Sequence, residues 1–337
     1  MIYPEFIKPG DTIGVTATSA GNGDELHIRK LESAIAQITK KGYKVVETPD
    51  VRKNKNGRSA PKEIRAKELM ELIENKDVDA IITARGGEFL LEILPFLDFN
   101  KIKKNPKWIQ GYSDTTGLSF CVTTICDIAT IYGENFGSFG MKPWHDSLKN
   151  NIRILEGENS TQQSFGKYQD GWQEEVTGLE PLKLTKKVKW QNGRGEKEIK
   201  LKGRLIGGCI DILVSLVGTK FDKVPKFCKK YKEDGIIWFF DNCELTSEEI
   251  IRGLWQMKEA DWFENCKGVI FGRSMTLKSI MGIEFKDAVL QAIGELNVPI
   301  IFDADIGHVS PQMTLINGAI ANIQSKDGKG QVSFKLK

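Results

Sequence analysis

Ser113 sits where a hydroxyl can become a nucleophile. It belongs to Lys107–Cys121, KWIQGYSDTTGLSFC, which reads as a short apolar strand at Trp108-Ile109, a glycine turn over Gly111-Tyr112-Ser113-Asp114, and then a helix. A serine on a strand-to-helix turn is held exposed beside free backbone N–H groups and the positive end of a helix dipole, the donors that an oxyanion needs. Ser113 and Asp114 are also good helix caps, so the stretch taken alone is compatible with either role. A nucleophilic serine further needs a base and usually a carboxylate to orient that base. The chain has three histidines, His27, His145 and His308. His27 falls on a predicted helix and His145 among polar loop residues, where surface roles suffice. His308 follows an apolar strand in PIIFDADIGHVSP, in a loop bounded by glycine and proline, and is the candidate base. The candidate carboxylates are Asp241, which ends GIIWFFD and could equally be a turn or capping residue, and Glu244 just after it. Glu248 and Glu249 read as cap and dipole partners of the following helix.

Elements able to position these groups follow in chain order. Asp11–Thr18 reads as a strand. Glu25–Lys41 carries Ile28, Leu31, Ile35 and Ile38 at helical spacing. Tyr43–Glu47 is a strand, Ala60-Pro61 begins a second helix, and Val78–Thr83 is an apolar strand running into Arg85-Gly86-Gly87. Leu90–Leu97 is expected to be helical, and Asp127–Tyr132 closes the series as a strand. Alternating helices and largely apolar strands imply a parallel sheet covered on both faces, with ligands at the carboxyl ends of its strands. Gly86-Gly87 and Ser113 both follow strands and so belong on one rim. The pattern weakens from Glu156 to Lys200, a polar stretch with Trp172 and Trp190. We read residues 1–160 as an N-terminal α/β domain carrying the nucleophile, 161–199 as a polar connection, and 200–337 as a mixed β/α domain carrying the histidine and carboxylate. In the last of these, Lys200–Gly207, Gly235–Asp241, Gly268–Gly272 and Pro299–Phe302 read as strands, and Phe285–Leu296 as a helix. Gly207-Gly208 is expected to open a helix through Val217, and Thr246 with Glu249 has capping-box spacing before another. Met313–Ala319 and Gln331–Lys337 read as β.

The composition restricts the classes of function. With 40% hydrophobic and 28% charged residues the chain has ordinary globular composition, and its formal net charge of +3 is too small to suggest a nucleic-acid track. No apolar run approaches the roughly 18 residues of a membrane span, and the N-terminus lacks the pattern of a signal peptide. The six cysteines, Cys121, Cys126, Cys209, Cys228, Cys243 and Cys266, are scattered without a CxxC pair, which suits reduced thiols in a cytoplasmic protein. No histidine has metal-ligand spacing.

Several motifs in order carry a resemblance. Pro9-Gly10-Asp11, Ala84-Arg85-Gly86-Gly87, Gly111-Tyr112-Ser113-Asp114-Thr115-Thr116, Gly203-Arg204-Leu205-Ile206-Gly207-Gly208 and Gly307-His308 resemble the LD-carboxypeptidase family over nearly the whole chain. The resemblance implies a flavodoxin-like N-terminal domain, a C-terminal swivelling β/α domain, a Ser-Glu-His triad where they meet, and a homodimer. It makes Ser113 the nucleophile, His308 the general base, and the backbone N–H groups of Gly87 and Asp114 the oxyanion hole. The family's glutamate aligns with Asp241, whose side chain is about 1.5 Å shorter, one C–C bond; Glu244 is the alternative. Arg85, Gly86 and Trp190 are candidate substrate-binding residues. No metal or cofactor is implied.

Within that family two substrates compete: the L,D-peptide bond of muropeptides, in murein recycling, and the amide joining an amino acid to a modified nucleotide, in microcin C self-immunity. We expect the first and hold the second as the alternative. Trp172 or Trp190 could stack on a base, and either could equally pack within a β-element. A small peptide or peptidyl-nucleotide is the expected partner, with no nucleic acid polymer and no membrane. Two other classes are a non-catalytic two-lobed binder of small molecules and a phosphate or dinucleotide site at Gly207-Gly208.

Overall fold

The computed structural model describes residues 1–158, 161–276 and 278–336. The chain divides into two compact units, Met1–Asn159 with Glu174–Leu182, and Ser160–Gln173 with Lys183–Lys337. The stretch 161–199 therefore contributes to both. The expected boundary at 160/161 and the last residue of the expected strand Gln331–Lys337 touch positions outside the described residues.

The first unit is built on the parallel strands β1 (Thr12–Thr16), β2 (Lys44–Glu47), β3 (Ala80–Thr83), β4 (Trp108–Gly111) and β5 (Thr130–Tyr132), in the order β5-β4-β3-β1-β2. This is the flavodoxin-like order, in which the order of the strands, all parallel, reverses at β1 and β3. The helices are α1 (Glu25–Lys40), α2 (Lys62–Glu74), α3 (Phe99–Lys104), α4 (Thr116–Cys121) and α5 (Asp146–Leu155). Residues of β3 and β4 are all buried, as a strand covered on both faces requires. Helix α1 is capped by Asp24, whose side chain accepts from the His27 N–H, and it buries Leu31, Ala34 and Ile38. His145 caps α5 in the same way, accepting from the Ser147 N–H. Leu90–Phe96, expected to be helical, is a 3-10 helix containing Pro95, whose missing N–H disfavours a regular α-helix there. The segment Glu174–Leu182 is tied to α1 and to the loop before α5 by the Lys30–Glu175 ion pair at 2.9 Å and a bond from the Lys142 N–H to the Leu179 carbonyl.

The second unit holds β6 (Thr161–Gln163), β7 (Lys167–Gln169), β8 (Leu184–Lys187), β9 (Gln191–Asn192), β10 (Glu198–Cys209), β11 (Ile236–Asp241), β12 (Cys266–Gly272), β13 (Ile300–Ala304), β14 (Leu315–Asn317), β15 (Ile320–Lys326) and β16 (Lys329–Lys335). Its large sheet runs β6-β16-β15-β10-β11-β12-β13-β9, parallel from β10 to β13 and antiparallel on both wings, while β7 and β8 form a separate antiparallel pair. Its helices are α6 (Ile210–Leu213), α7 (Val224–Lys230), α8 (Ser247–Glu259) and α9 (Phe285–Ile293). Every residue of β11 is buried. Trp238 stacks on Phe240 two residues along at 5.6 Å, and on Trp262 at 5.5 Å, which fills one face of the sheet. The expected capping box at Thr246 and Glu249 is formed.

One expectation is corrected. Gly207 and Gly208 do not open a helix; they lie inside β10, opposite Phe239 and Phe240 of β11, and the helix that follows is the four-residue α6. Both glycines are engaged in a parallel ladder, so a phosphate cradle has no helix N-terminus to use there. Among the described residues no helix is long and apolar enough to cross a membrane.

Candidate active site

In the first unit the chain leaves β4 and turns sharply. Ser113 takes φ +62°, a left-handed conformation uncommon for a serine and costing about 1–3 kcal/mol. Ser113–Thr115 form a 3-10 turn that passes directly into α4, and no side-chain capping bond is made at either helix start. The turn is fixed from beneath: Thr83 Oγ1 is 2.9 Å from Thr115 Oγ1 and donates to Asn135 Oδ1 at 2.8 Å, and that oxygen also accepts from the Tyr112 N–H. A strand-to-helix turn with a strained serine at its apex is the local geometry of a nucleophile elbow.

The Ala84–Leu90 loop, after β3, lies against this turn. A Cβ placed on Gly86 would stand 3.1 Å from Ser113 Oγ and 3.7 Å from the Asp114 nitrogen, so backbone passes immediately beside the hydroxyl. Gly87 has φ +150°, and a side chain there would meet Ser19 Oγ at 2.4 Å. Asp114 is fully buried, and its Oδ2 accepts from the Leu90 N–H at 2.9 Å. Ser19 bonds the same carboxylate and accepts from the Phe89 N–H. Burial raises the Asp114 pKa, although these hydrogen bonds oppose the rise. Asp114 thus holds the glycine loop to the serine turn with its side chain, leaving its role as a cap unused. Arg85, half-buried, makes a long 3.4 Å contact to the Gly21 carbonyl, with the Asp24 and Glu175 carboxylates in electrostatic range.

In the second unit, Asp241 ends β11 and His308 lies in the loop after β13. Asp241 grips the histidine twice: Oδ1 accepts from the His308 N–H at 3.2 Å, and Oδ2 is 2.7 Å from Nδ1. The Asp241 side chain is wholly buried and that of His308 is 5% exposed. The close approach depends on Gly307 at φ +85°, where a Cβ would fall 1.9 Å from the Asp241 carboxylate. With Nδ1 committed to the carboxylate, Nε2 is the basic nitrogen. Burial alone would lower the His308 pKa, but the Asp241 charge and hydrogen bond, helped by the Cys243 thiol, carry it well upward.

The structure thus brings Asp241, rather than Glu244, to the histidine. Glu244 is exposed, and its backbone N–H donates to Asp211 Oδ1 at 2.7 Å. The shorter aspartate suffices because Gly307 lets the two backbones approach. Of the two roles open to Trp190, substrate contact or packing, the structure shows packing: it is 2% exposed, and its indole N–H donates to Asp305 Oδ2 at 2.9 Å. It belongs to a buried strut in which Asp305 pairs with Arg273 at 2.7 Å and Arg273 donates to the Val309 and Pro311 carbonyls, bracing the His308 loop. Trp172 is the exposed one, at 72%, and lies edge-on to the His308 ring with centroids 6.4 Å apart.

Sequence reasoning missed Asp211. Besides the Glu244 amide it accepts from the Cys243 N–H at 3.1 Å and from Cys209 Sγ at 3.2 Å, so it fastens the turn that follows Asp241. An aspartate in a short helix carries no local mark of such a role. Cys209, paired in register with Asp241, also went unnoticed.

Comparison with known proteins identifies the family. The LD-carboxypeptidase N-terminal domain matches residues 13–133 and the LD-carboxypeptidase C-terminal domain residues 202–323. The chain is 28% identical to the microcin C7 self-immunity protein MccF of Escherichia coli, over 91% of this chain and 88% of that protein. It is 24% identical to a probable murein peptide carboxypeptidase of Bacillus subtilis, over 96% and 92%. The solved structure of MccF in complex with aspartyl sulfamoyl adenosine shares the fold, with a TM-score of 0.82, 24% identity and 99% of each chain covered. The chain belongs to the LD-carboxypeptidase family and is a serine-peptidase-like hydrolase.

Proposed function

We propose that this hydrolase cleaves an amide with Ser113 as nucleophile, His308 as its base and Asp241 as the group that orients the imidazole. The observation carrying the reading is the two-point grip of a buried carboxylate on His308, with Nδ1 to Oδ2 at 2.7 Å. Such a grip serves a ring that must present Nε2 in one orientation and bear a transient positive charge. His308 takes the proton of Ser113 Oγ as that oxygen attacks the carbonyl carbon. The Gly87 and Asp114 N–H groups receive the oxyanion, and His308 returns the proton to the departing nitrogen. Water, deprotonated by the same imidazole, then releases the acyl group and restores the serine.

For the substrate, the exposed Trp172 beside His308 favours an amide whose leaving group carries an aromatic base, the aminoacyl-nucleotide class. The naming of MccF as a self-immunity protein, and its complex with aspartyl sulfamoyl adenosine, support that reading. Arg85 supports the second reading, an L,D-peptide: a half-buried guanidinium beside Gly86 suits the terminal carboxylate of a muropeptide. The test is mass spectrometry of products from an aspartyl sulfamoyl adenylate and from a tetrapeptide ending in D-alanine, with Ser113→Ala as control. Release of aspartate selects the first reading and release of D-alanine the second. Cleavage of neither, with wild type matching Ser113→Ala, would sink both.

A further inference from the structure

Cys209 takes no part in the proposed reaction, yet it stands beside the two residues that hold and supply the proton. It ends β10 directly opposite Asp241 at the end of β11, and its thiol donates to Asp211. One ligand atom from each of Cys209, Asp241 and His308 lies within 4.8 Å of the others. We propose that these three side chains form a binding site for a soft divalent cation of the zinc class, and that a bound ion arrests the hydrolase by occupying the imidazole.

The donor set decides the class of ion. Sulfur, imidazole nitrogen and carboxylate oxygen suit zinc or cadmium, whereas magnesium and calcium favour all-oxygen sites. Three protein donors leave a fourth tetrahedral position for water. The surroundings favour a cation as well. Asp211 adds a second carboxylate against Cys209, and the Cys243 thiol is hydrogen-bonded to the same His308. All these groups are braced before any ion arrives: Asp211 fastens the turn after β11, and Arg273 holds the carbonyls that follow His308. A pre-built trio loses little order on binding. On binding, the thiol proton leaves to solvent and a metal–sulfur bond forms, while bonds to Asp241 and His308 Nδ1 replace the hydrogen bond between them. The displaced Nδ1 proton moves to Nε2 of a neutral ring or leaves to solvent from a protonated one, and in both cases Nε2 carries a hydrogen and can accept no other. No oxidant or reductant is needed. Binding stands independently of the hydrolase reading; the arrest rests on it.

The experiment titrates the full chain with cadmium alone and follows the thiolate-to-metal charge-transfer absorption in the near ultraviolet. One equivalent is expected to develop the band in wild type, Cys209→Ser to lose it, and magnesium to have no effect. Zinc is expected to inhibit hydrolysis, with the half-inhibitory concentration raised at least ~10-fold in Cys209→Ser, since loss of even an outer partner of a metal ligand costs that much. Should Cys209→Ser fold poorly, His308→Gln serves instead, and equilibrium dialysis must show loss of the one tight equivalent. A band retained by both variants, or its absence from wild type at one equivalent, overturns the site. Equal inhibition of wild type and Cys209→Ser overturns the arrest. A Cys209-dependent band in a protein that cleaves neither substrate supports the site and removes only the proposed function.

Discussion

The Ser113 turn and the Asp241–His308 pair are positioned in opposite ways. The serine turn is made by one short stretch of chain, strained at a single residue and fixed by its own Thr115 hydroxyl, the Thr83 hydroxyl from β3 and the Asn135 amide from the loop after β5. The histidine pair joins residues 67 positions apart and is secured by charge: buried Asp241 on the ring, half-buried Asp211 under the turn, buried Arg273 and Asp305 behind the loop. A hydroxyl needs only exposure and nearby donors, and a local turn supplies both. An imidazole that gains and loses a proton needs an anion beside it throughout, and a buried anion must be fully hydrogen-bonded to be tolerated. The second unit therefore sets its buried carboxylate on the imidazole itself, whereas the buried carboxylate next to the serine, Asp114, fastens the glycine loop.

That contrast can be attacked directly. The largest effect is expected from Asp241→Asn, which keeps the shape but removes the charge and the preferred tautomer. The kcat should fall about 10³–10⁴-fold in a hydrolysis assay, with Glu244→Gln changed less than about twofold. If Glu244→Gln were the more damaging, the assignment of the orienting carboxylate would be wrong. Gly307→Ala comes next. Its Cβ has no room beside the Asp241 carboxylate and its φ is left-handed, so denaturant unfolding should show a loss of about 1–3 kcal/mol together with most of the activity. Unaltered activity in a stable Gly307→Ala protein would show that the two-point grip is dispensable.

Asp211→Ala strips the partners from two backbone amides and a thiol, at about 1 kcal/mol for hydrogen bonds that water can partly replace. Its kcat should fall with little change in KM if the aspartate acts through the Asp241 turn, and Asp211→Asn should recover part of it. A proportionate rise in KM instead would assign it to substrate binding. The smallest effect tests a half-exposed carboxylate of the first unit. Glu92, held to a pKa of about 2 by Arg58 and Arg65, should stabilise that unit fully above the ordinary carboxyl pKa. The contribution is lost as pH falls through about 2. Glu92→Gln should flatten the acid limb of thermal unfolding, and an unchanged limb would mean the pair is immaterial.

Much of this was legible in the sequence. The apolar strands, the 3.6-residue rhythm of α1 and the capping box of α8 are short-range patterns, and the structure reproduces them within a few residues. The reading failed at Gly207-Gly208, where a glycine pair was taken as a helix start, because local rules do not reveal that β11 needs a close neighbour for its ladder. It left Trp190 open between substrate and packing for a related reason. A tryptophan in a polar stretch looks exposed until Asp305, 115 residues away, is seen to receive its N–H.

The sequence by itself determined the alternating architecture, the serine on its turn, and the family to which the motifs belong. Each of these rests on residues close together in the chain, where backbone sterics and hydrophobic periodicity act without reference to anything distant. Tertiary structure alone decided that Asp241 and not Glu244 meets the histidine, that Trp172 and not Trp190 is exposed beside it, and that Cys209 joins them. Those outcomes depend on strand register and on whether two backbones can approach to within a hydrogen bond. That distance is set by a glycine far along the chain, so no local pattern could carry it.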